Sequence, residues 1–124
     1  MITGGLSMNK SAFRKLSYGV YLISSLDGDR PTGCIANSAM QITSDPASIA
    51  ISINHDNYTN SCIERTGKFT VSVLSQNAQF ELFKHFGFQS GRDTNKFKTF
   101  EKCARGTNGI YYITEGTNAY ISVT

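Results

Sequence analysis

The sequence predicts a mainly β protein, an antiparallel split β-barrel of Greek-key type with short appended helices. Strand-like runs follow one another directly instead of alternating with helices, which argues against a doubly wound sheet. Ile49, Ile51 and Ile53 alternate with small or polar residues, the period of a strand with one buried face. Turn residues separate these runs, most clearly at 27–31 (DGDRP). We therefore expect about six strands and about three short helices.

In the first half of the chain, β-branched and aromatic runs lie between clusters of Gly, Pro, Asp and Ser. A short amphipathic segment with a Ser cap precedes the first run. The predicted elements are a helix over 11–19, strands over 18–26, 33–43 and 48–54, and a turn at 44–46.

The second half contains two further helical segments. Asp56 and Asn57 are good helix caps, and Phe80, Leu82, Phe83 and Phe86 form an apolar stripe. The predicted elements are helices over 55–66 and 78–86, strands over 68–75, 110–114 and 117–124, and a polar loop over 89–98. Nothing in the sequence pairs or covers the last strand, so we expect a partner subunit to close the barrel or the natural domain to be longer.

Composition indicates one globular domain over residues 1–124, since 40% of the residues are hydrophobic and 17% are charged. No apolar run approaches the ~20 residues that cross a bilayer, and residues 1–7 lack the features of a signal peptide. We therefore expect a cytoplasmic protein with no membrane partner. The cysteines, Cys34, Cys62 and Cys103, have no metal-ligand spacing and are expected to be reduced thiols.

The net charge of +3 is too small to predict a nucleic-acid partner, but its distribution is uneven. Residues 84–105 contain six basic residues against two acidic ones, a local charge of +4. Such a segment suits a small anion such as a phosphate, although an ordinary solvated loop would have the same composition.

No catalytic set is recognisable, and the catalytic residues stay unknown: His55 and His85 are the only histidines and neither has triad spacing. Small and hydroxylic residues instead collect at strand ends, at 36–39, 52–54 and 57–60. A flat heteroaromatic ring needs such close backbone approach, and a helix start near Asn57 offers N–H groups to a phosphate. Ordinary turn and cap residues remain an alternative interpretation.

At these residues the sequence resembles the flavin reductase-like family of FMN-binding split barrels, in the branch of flavoredoxin and the flavin domain of high-molecular-weight rubredoxins. The resemblance covers roughly residues 8–124. It is carried by segments that follow one another in register: 16–24 (LSYGVYLIS), 33–38 (GCIANS), 41–46 (QITSDP), 49–54 (IAISIN), 58–59 (YT), 67–75 (GKFTVSVLS), 86–93 (FGFQSGRD) and 96–97 (KF).

The resemblance implies a site for FMN, a homodimer with flavin near the interface, and NAD(P)H as hydride donor. It implies that Asn37, Ser38, Ala39, Met40 and Gln41 line the isoalloxazine edge. Asn54, Tyr58 and Thr59 would hold the ribityl chain and phosphate. Arg92 and Lys96, expected as exposed cations of a loop, would also reach the phosphate.

Family domains normally continue past the strand at 119–123 into further strands, one of which carries a Gly-Asp-His-like stretch on the nicotinamide side. The resemblance therefore implies that this chain lacks those C-terminal strands. Three functions stay open: an NAD(P)H-dependent flavin reductase, an FMN electron-transfer module that serves a redox protein partner, or a non-redox split barrel with a binding or structural role.

Overall fold

The computed structural model describes residue 12 and residues 19–98 and 100–124, so the opening helix predicted over 11–19 lies outside the described residues except at positions 12 and 19. The described part of the chain forms eight strands and two helices. In chain order these are β1 (Tyr21–Asp27), β2 (Arg30–Ala36), β3 (Ala39–Ser44), β4 (Ala47–Ile51), α1 (Tyr58–Thr66), β5 (Phe69–Leu74), α2 (Phe80–Gly87), β6 (Cys103–Arg105), β7 (Tyr111–Ile113) and β8 (Thr117–Val123).

An antiparallel four-stranded sheet in the order β2-β1-β5-β8 forms the centre, with β3–β4 and β6–β7 as two-stranded ribbons. Because successive residues of a strand face opposite sides, β1 buries both of its faces. Leu22 contacts a cluster that includes Phe86 of α2, whereas Ile23 packs with Cys34 and Val71. The mainly β, antiparallel architecture with short helices is confirmed.

Several local predictions are confirmed as well. Asn57 caps α1, Gly67 ends it in the left-handed conformation at a φ of 69°, and Gly28 occupies the β1–β2 turn at a φ of 62°. These positive φ angles explain why glycine occupies the end of α1 and the hairpin turn. The isoleucines of the 48–54 segment pack on one core cluster, as their alternation predicts.

Other predictions are wrong. The strand predicted over 33–43 is two strands, because the chain leaves the central sheet at Asn37 and Ser38 to enter the β3–β4 ribbon. Phe80 is 63% exposed, so the core face of α2 is carried by Leu82 and Phe86. The last strand is not unpaired, since β8 pairs with β5 along one edge. β6 was missed, as three residues are too few for a periodic signal.

Candidate functional site

A cleft begins where β2 leaves the central sheet and α1 starts. It consists of two adjoining cavities that share Ile35 and Asn57 in their walls. The smaller cavity, about 240 Å³, lies between the start of α1 and the loop at 87–91. The larger cavity, about 440 Å³, lies between the end of β2 and residues 52–54. The cleft therefore has two compartments with different walls.

The start of α1 is held by a chain of local hydrogen bonds. The Asn57 side chain accepts a hydrogen bond from the Thr59 N–H at 2.8 Å, and the Asn57 N–H donates to the Asn54 carbonyl at 2.9 Å. The Asn54 side chain in turn accepts from the Asp56 N–H at 3.0 Å. The first turn of α1 contains no acidic residue. Its partial positive charge faces the smaller cavity, which the exposed Asp56 also lines, beside His55 at 3.1 Å.

Lys96 lines the smaller cavity from the opposite side, and only 3% of its surface is exposed. Its ammonium donates to the carbonyls of Gly33 and Phe86, both at 2.7 Å. Burial lowers the pKa of Lys96, while the nearby Cys34 opposes that shift. An ammonium has three N–H donors, so one remains for another acceptor. The expectation of an exposed Lys96 is wrong, because its side chain ties β2 to the end of α2.

Tyr58, the first residue of α1, forms another part of the wall. Its hydroxyl donates to Asp27, and the guanidinium carbon of Arg92 lies 5.6 Å from the centre of its ring. Burial and then the hydrogen bond to Asp27 raise the pKa of Tyr58 to about 12. The same hydrogen bond, with the Arg65 charge nearby, lowers the pKa of Asp27. Tyr58 therefore stays neutral, while Arg92 adds a cation over the Tyr58 ring, beside the cavity.

The structure brings together six of the ten predicted site residues. Tyr58, Thr59 and Lys96 line the smaller cavity with Arg92 beside them, and Asn37 and Asn54 line the larger one. The others lie elsewhere: Ala39, Met40 and Gln41 line a separate cavity of about 660 Å³ between the β3–β4 ribbon and β8, and Ser38 lies at the turn between.

Sequence reasoning placed Asn57 at a helix start that offers N–H groups to a phosphate, but did not include its side chain among the site residues. It also missed Gln89 and Ser90, which line the smaller cavity. Neither follows from a local pattern, because only the fold brings the loop after α2 against α1. Of the other cations in the basic segment, Lys102 pairs with Glu115 at 3.0 Å and Arg105 lies 5.0 Å from the Tyr111 ring centre.

Among the described residues, no group of three or more His, Cys, Asp and Glu side chains is placed to hold a metal ion. His55 lies beside Asp56 in solvent at 3.1 Å, and His85 contacts the Lys96 carbonyl. All three cysteines are free, and burial raises the pKa of Cys34 to about 11, so it is a neutral thiol. No helix in the described ranges has the length and apolar character that a membrane span requires.

Comparison with known proteins gives concordant results. The profile of a family described as the flavin reductase like domain matches residues 13–122. High molecular weight rubredoxin from Moorella thermoacetica is 41% identical over 115 residues, which cover 92% of this chain and 49% of that protein. A ferric-chelate reductase (NAD(P)H) from Archaeoglobus fulgidus is 36% identical over 114 residues, which cover 92% of this chain and 67% of that protein.

A solved structure of an FMN-binding protein from Thermus thermophilus, with bound p-hydroxybenzaldehyde, superposes with a TM-score of 0.77 at 21% identity. The superposition covers 98% of this chain and 68% of that one. This likeness confirms the predicted fold class. The chain spans about half the length of the Moorella relative, with 49% covered.

Proposed function

Because this chain belongs to the flavin reductase-like domain family, we propose that it is an FMN-binding oxidoreductase domain of the flavin reductase type, with NAD(P)H as hydride donor. The observation that carries the proposal is the two-compartment cleft. One end presents cationic and helix-start groups, and the other presents the side-chain amides of Asn37, Asn54 and Asn57. The Archaeoglobus relative, whose name includes NAD(P)H, supports the choice of donor.

The residues of the cleft fit FMN in chemical character. In the smaller cavity, the remaining N–H of Lys96, the first turn of α1 and Arg92 would hold the phosphate. In the larger cavity, the three amides would donate to and accept from the ribityl hydroxyls and the polar edge of the ring. A bound flavin would supply the hydride-accepting chemistry that the side chains of the cleft lack. The protein's part is to bind the flavin, orient it and neutralise its phosphate.

A comparison of FMN with riboflavin tests this proposal. The two ligands differ only in the phosphate, and a charge-assisted contact contributes about 1.5–3 kcal/mol, roughly a ten- to hundredfold difference in affinity. Titration of the purified protein, followed by quenching of flavin fluorescence, should show FMN binding more tightly by that ratio. Equal affinities would refute the assignment of the smaller cavity to the phosphate.

An FMN electron-transfer module that serves a redox protein partner is the alternative function. The 41% identity with a protein named high molecular weight rubredoxin favours it. Rapid reduction of bound FMN by NADH or NADPH would support the reductase. Reduction only by a protein donor would support the electron-transfer module. Failure to bind FMN would support the non-redox alternative.

We also propose a cytoplasmic homodimer. Met40 and Ile42 on β3 and Ile121 on β8 are each more than 40% exposed, and β8 is an edge strand. Tyr111 contributes nothing to such a surface because it stacks on Phe97 in the core, 5.5 Å between ring centres. Three free cysteines fit a reducing compartment. Light scattering should give about twice the chain mass of 13.6 kDa, and a monomer would refute the dimer.

A further inference from the structure

The tip of the β1–β2 hairpin reaches two walls of the smaller cavity. Asp27 and Arg30 are cross-strand partners that close the hairpin around Gly28 and Asp29. Asp27 accepts a hydrogen bond from the Tyr58 hydroxyl, and its other oxygen lies 3.0 Å from Arg65. The Arg30 guanidinium donates to the carbonyl of Gly91. One rigid turn therefore holds both the helix start and the loop after α2.

Gly91 is buried and fits its position only because it has no side chain. A Cβ there would lie 2.9 Å from a ring carbon of Tyr58, and closer still to the hydroxyl of Thr32. The loop is thus pressed against β2 and α1 at this residue, and Arg30 fixes its carbonyl. The next residue is Arg92, whose guanidinium lies over the Tyr58 ring. The position of that cation beside the cavity therefore depends on how Gly91 is held.

We propose that Arg30 is a positioning residue for the anion end of the cleft. Arg30 does not line the cavity itself and acts through the carbonyl of Gly91, a lining residue whose position sets where Ser90 and Arg92 lie. Asp27 likewise positions Tyr58 by accepting the hydrogen bond of its hydroxyl, which fixes the ring beneath Arg92. This inference rests on the proposed function, since it assumes that the cavity takes the FMN phosphate.

Three variants test it: Arg30→Ala removes the donor, Arg30→Lys keeps a cation that can reach a carbonyl, and Arg105→Ala is the matched control. Arg105 lies on β6 over the Tyr111 ring and lines neither cavity of the cleft, so its loss changes the net charge equally without touching the loop after α2. The first readout is hydrogen exchange of the amides at 89–93 in the protein without flavin. The second is the ratio of the riboflavin and FMN dissociation constants.

We expect Arg30→Ala to accelerate exchange at 89–93 and to lower the riboflavin-to-FMN ratio by about five- to tenfold, mainly through weaker FMN binding. Arg30→Lys should restore most of both effects, and Arg105→Ala should change neither. Unchanged exchange in Arg30→Ala would overturn the inference whatever the ligands show. Equal losses of FMN and riboflavin affinity would also overturn it, because they would indicate a purely structural role. A wild-type ratio near one would instead refute the proposed phosphate site.

Discussion

The replacement Lys96→Met should both destabilise the protein and weaken its preference for FMN. The methionine keeps most of the apolar stem of the lysine but removes the ammonium that bonds the Gly33 and Phe86 carbonyls at 2.7 Å. Those carbonyls belong to β2 and α2, so the link between the sheet and the helix is lost. The same substitution removes the buried cation from the wall of the smaller cavity.

The size of the effect follows from the two hydrogen bonds. A hydrogen bond from a charged donor contributes about 1.5–3 kcal/mol, and the variant also leaves two buried acceptors to be satisfied. Burial of the charged ammonium is itself unfavourable, and this desolvation lowers the pKa of Lys96 in the folded protein. The methionine variant no longer buries a charge, which offsets part of the loss. We therefore expect the free energy of unfolding to fall by about 2–3 kcal/mol. For a domain of this size the melting temperature should then drop by roughly 8–12 °C.

Thermal unfolding without flavin measures the first effect, and titration with FMN and riboflavin measures the second. Lys98→Met is the matched control: its side chain is exposed two residues away, so stability should change by less than about 0.5 kcal/mol. We expect Lys96→Met to lose FMN affinity about tenfold more than riboflavin affinity. Equal melting temperatures for the two variants would refute the assigned hydrogen bonds, and an unaltered FMN preference would remove Lys96 from the phosphate site.

Three further predictions concern the walls of the cleft. Asn57→Ala removes the cap of α1 and should lower the free energy of unfolding by about 1 kcal/mol and weaken FMN binding. Asn60→Ala, which removes only a hydrogen bond to Glu64 on the same helix, should do neither; chemical denaturation and flavin titration compare the two variants. Since the pKa of Tyr58 is raised to about 12, the unfolded chain releases this proton first as pH rises above about 10. The stability difference between wild type and Tyr58→Phe should therefore narrow from about pH 10 to 12 in unfolding experiments, and a constant difference would refute the Tyr58–Asp27 hydrogen bond. Gly91→Ala should weaken FMN binding, because a Cβ there collides with Thr32 and Tyr58. Gly28→Ala is the control: a Cβ there meets open space but the backbone is strained at a φ of 62°, so we expect a loss of about 1 kcal/mol of stability with no change in FMN affinity.

The sequence predicted those features that depend on local physics. The alternation of Ile49, Ile51 and Ile53 identified a strand, and the residues at Asn57 and Gly67 marked both ends of α1. It could not show that the chain changes sheets at Asn37 and Ser38. A two-residue polar break inside a β-rich run has the same local signature whether the strand continues or turns into another ribbon.

The residues of the candidate site likewise separate into those with a local sequence signal and those that only the fold brings together. Tyr58, Thr59 and Arg92 were predicted from the family resemblance, and local features agreed with it: a helix start at Asn57 and a cluster of basic residues around Arg92. Met40 and Gln41 were predicted because the 37–41 segment resembles a family segment, but in the structure they line a different cavity. The burial of Lys96 had no sequence signal, since it lies in the mainly polar segment 89–98 and its two acceptors lie ten and sixty-three residues away.

The burial of Lys96 also explains how a small domain can keep a cation in place before any ligand arrives. An exposed lysine loses rotamer freedom on binding an anion, and solvent screens its charge. Lys96 has already lost that freedom on folding, and its two carbonyl acceptors compensate for lost water. Arg92 is exposed, but the Tyr58 ring and the fixed Gly91 limit where it can lie. A phosphate in the smaller cavity would therefore meet one cation ordered by the core and one ordered by the hairpin, which lowers the entropy cost of binding.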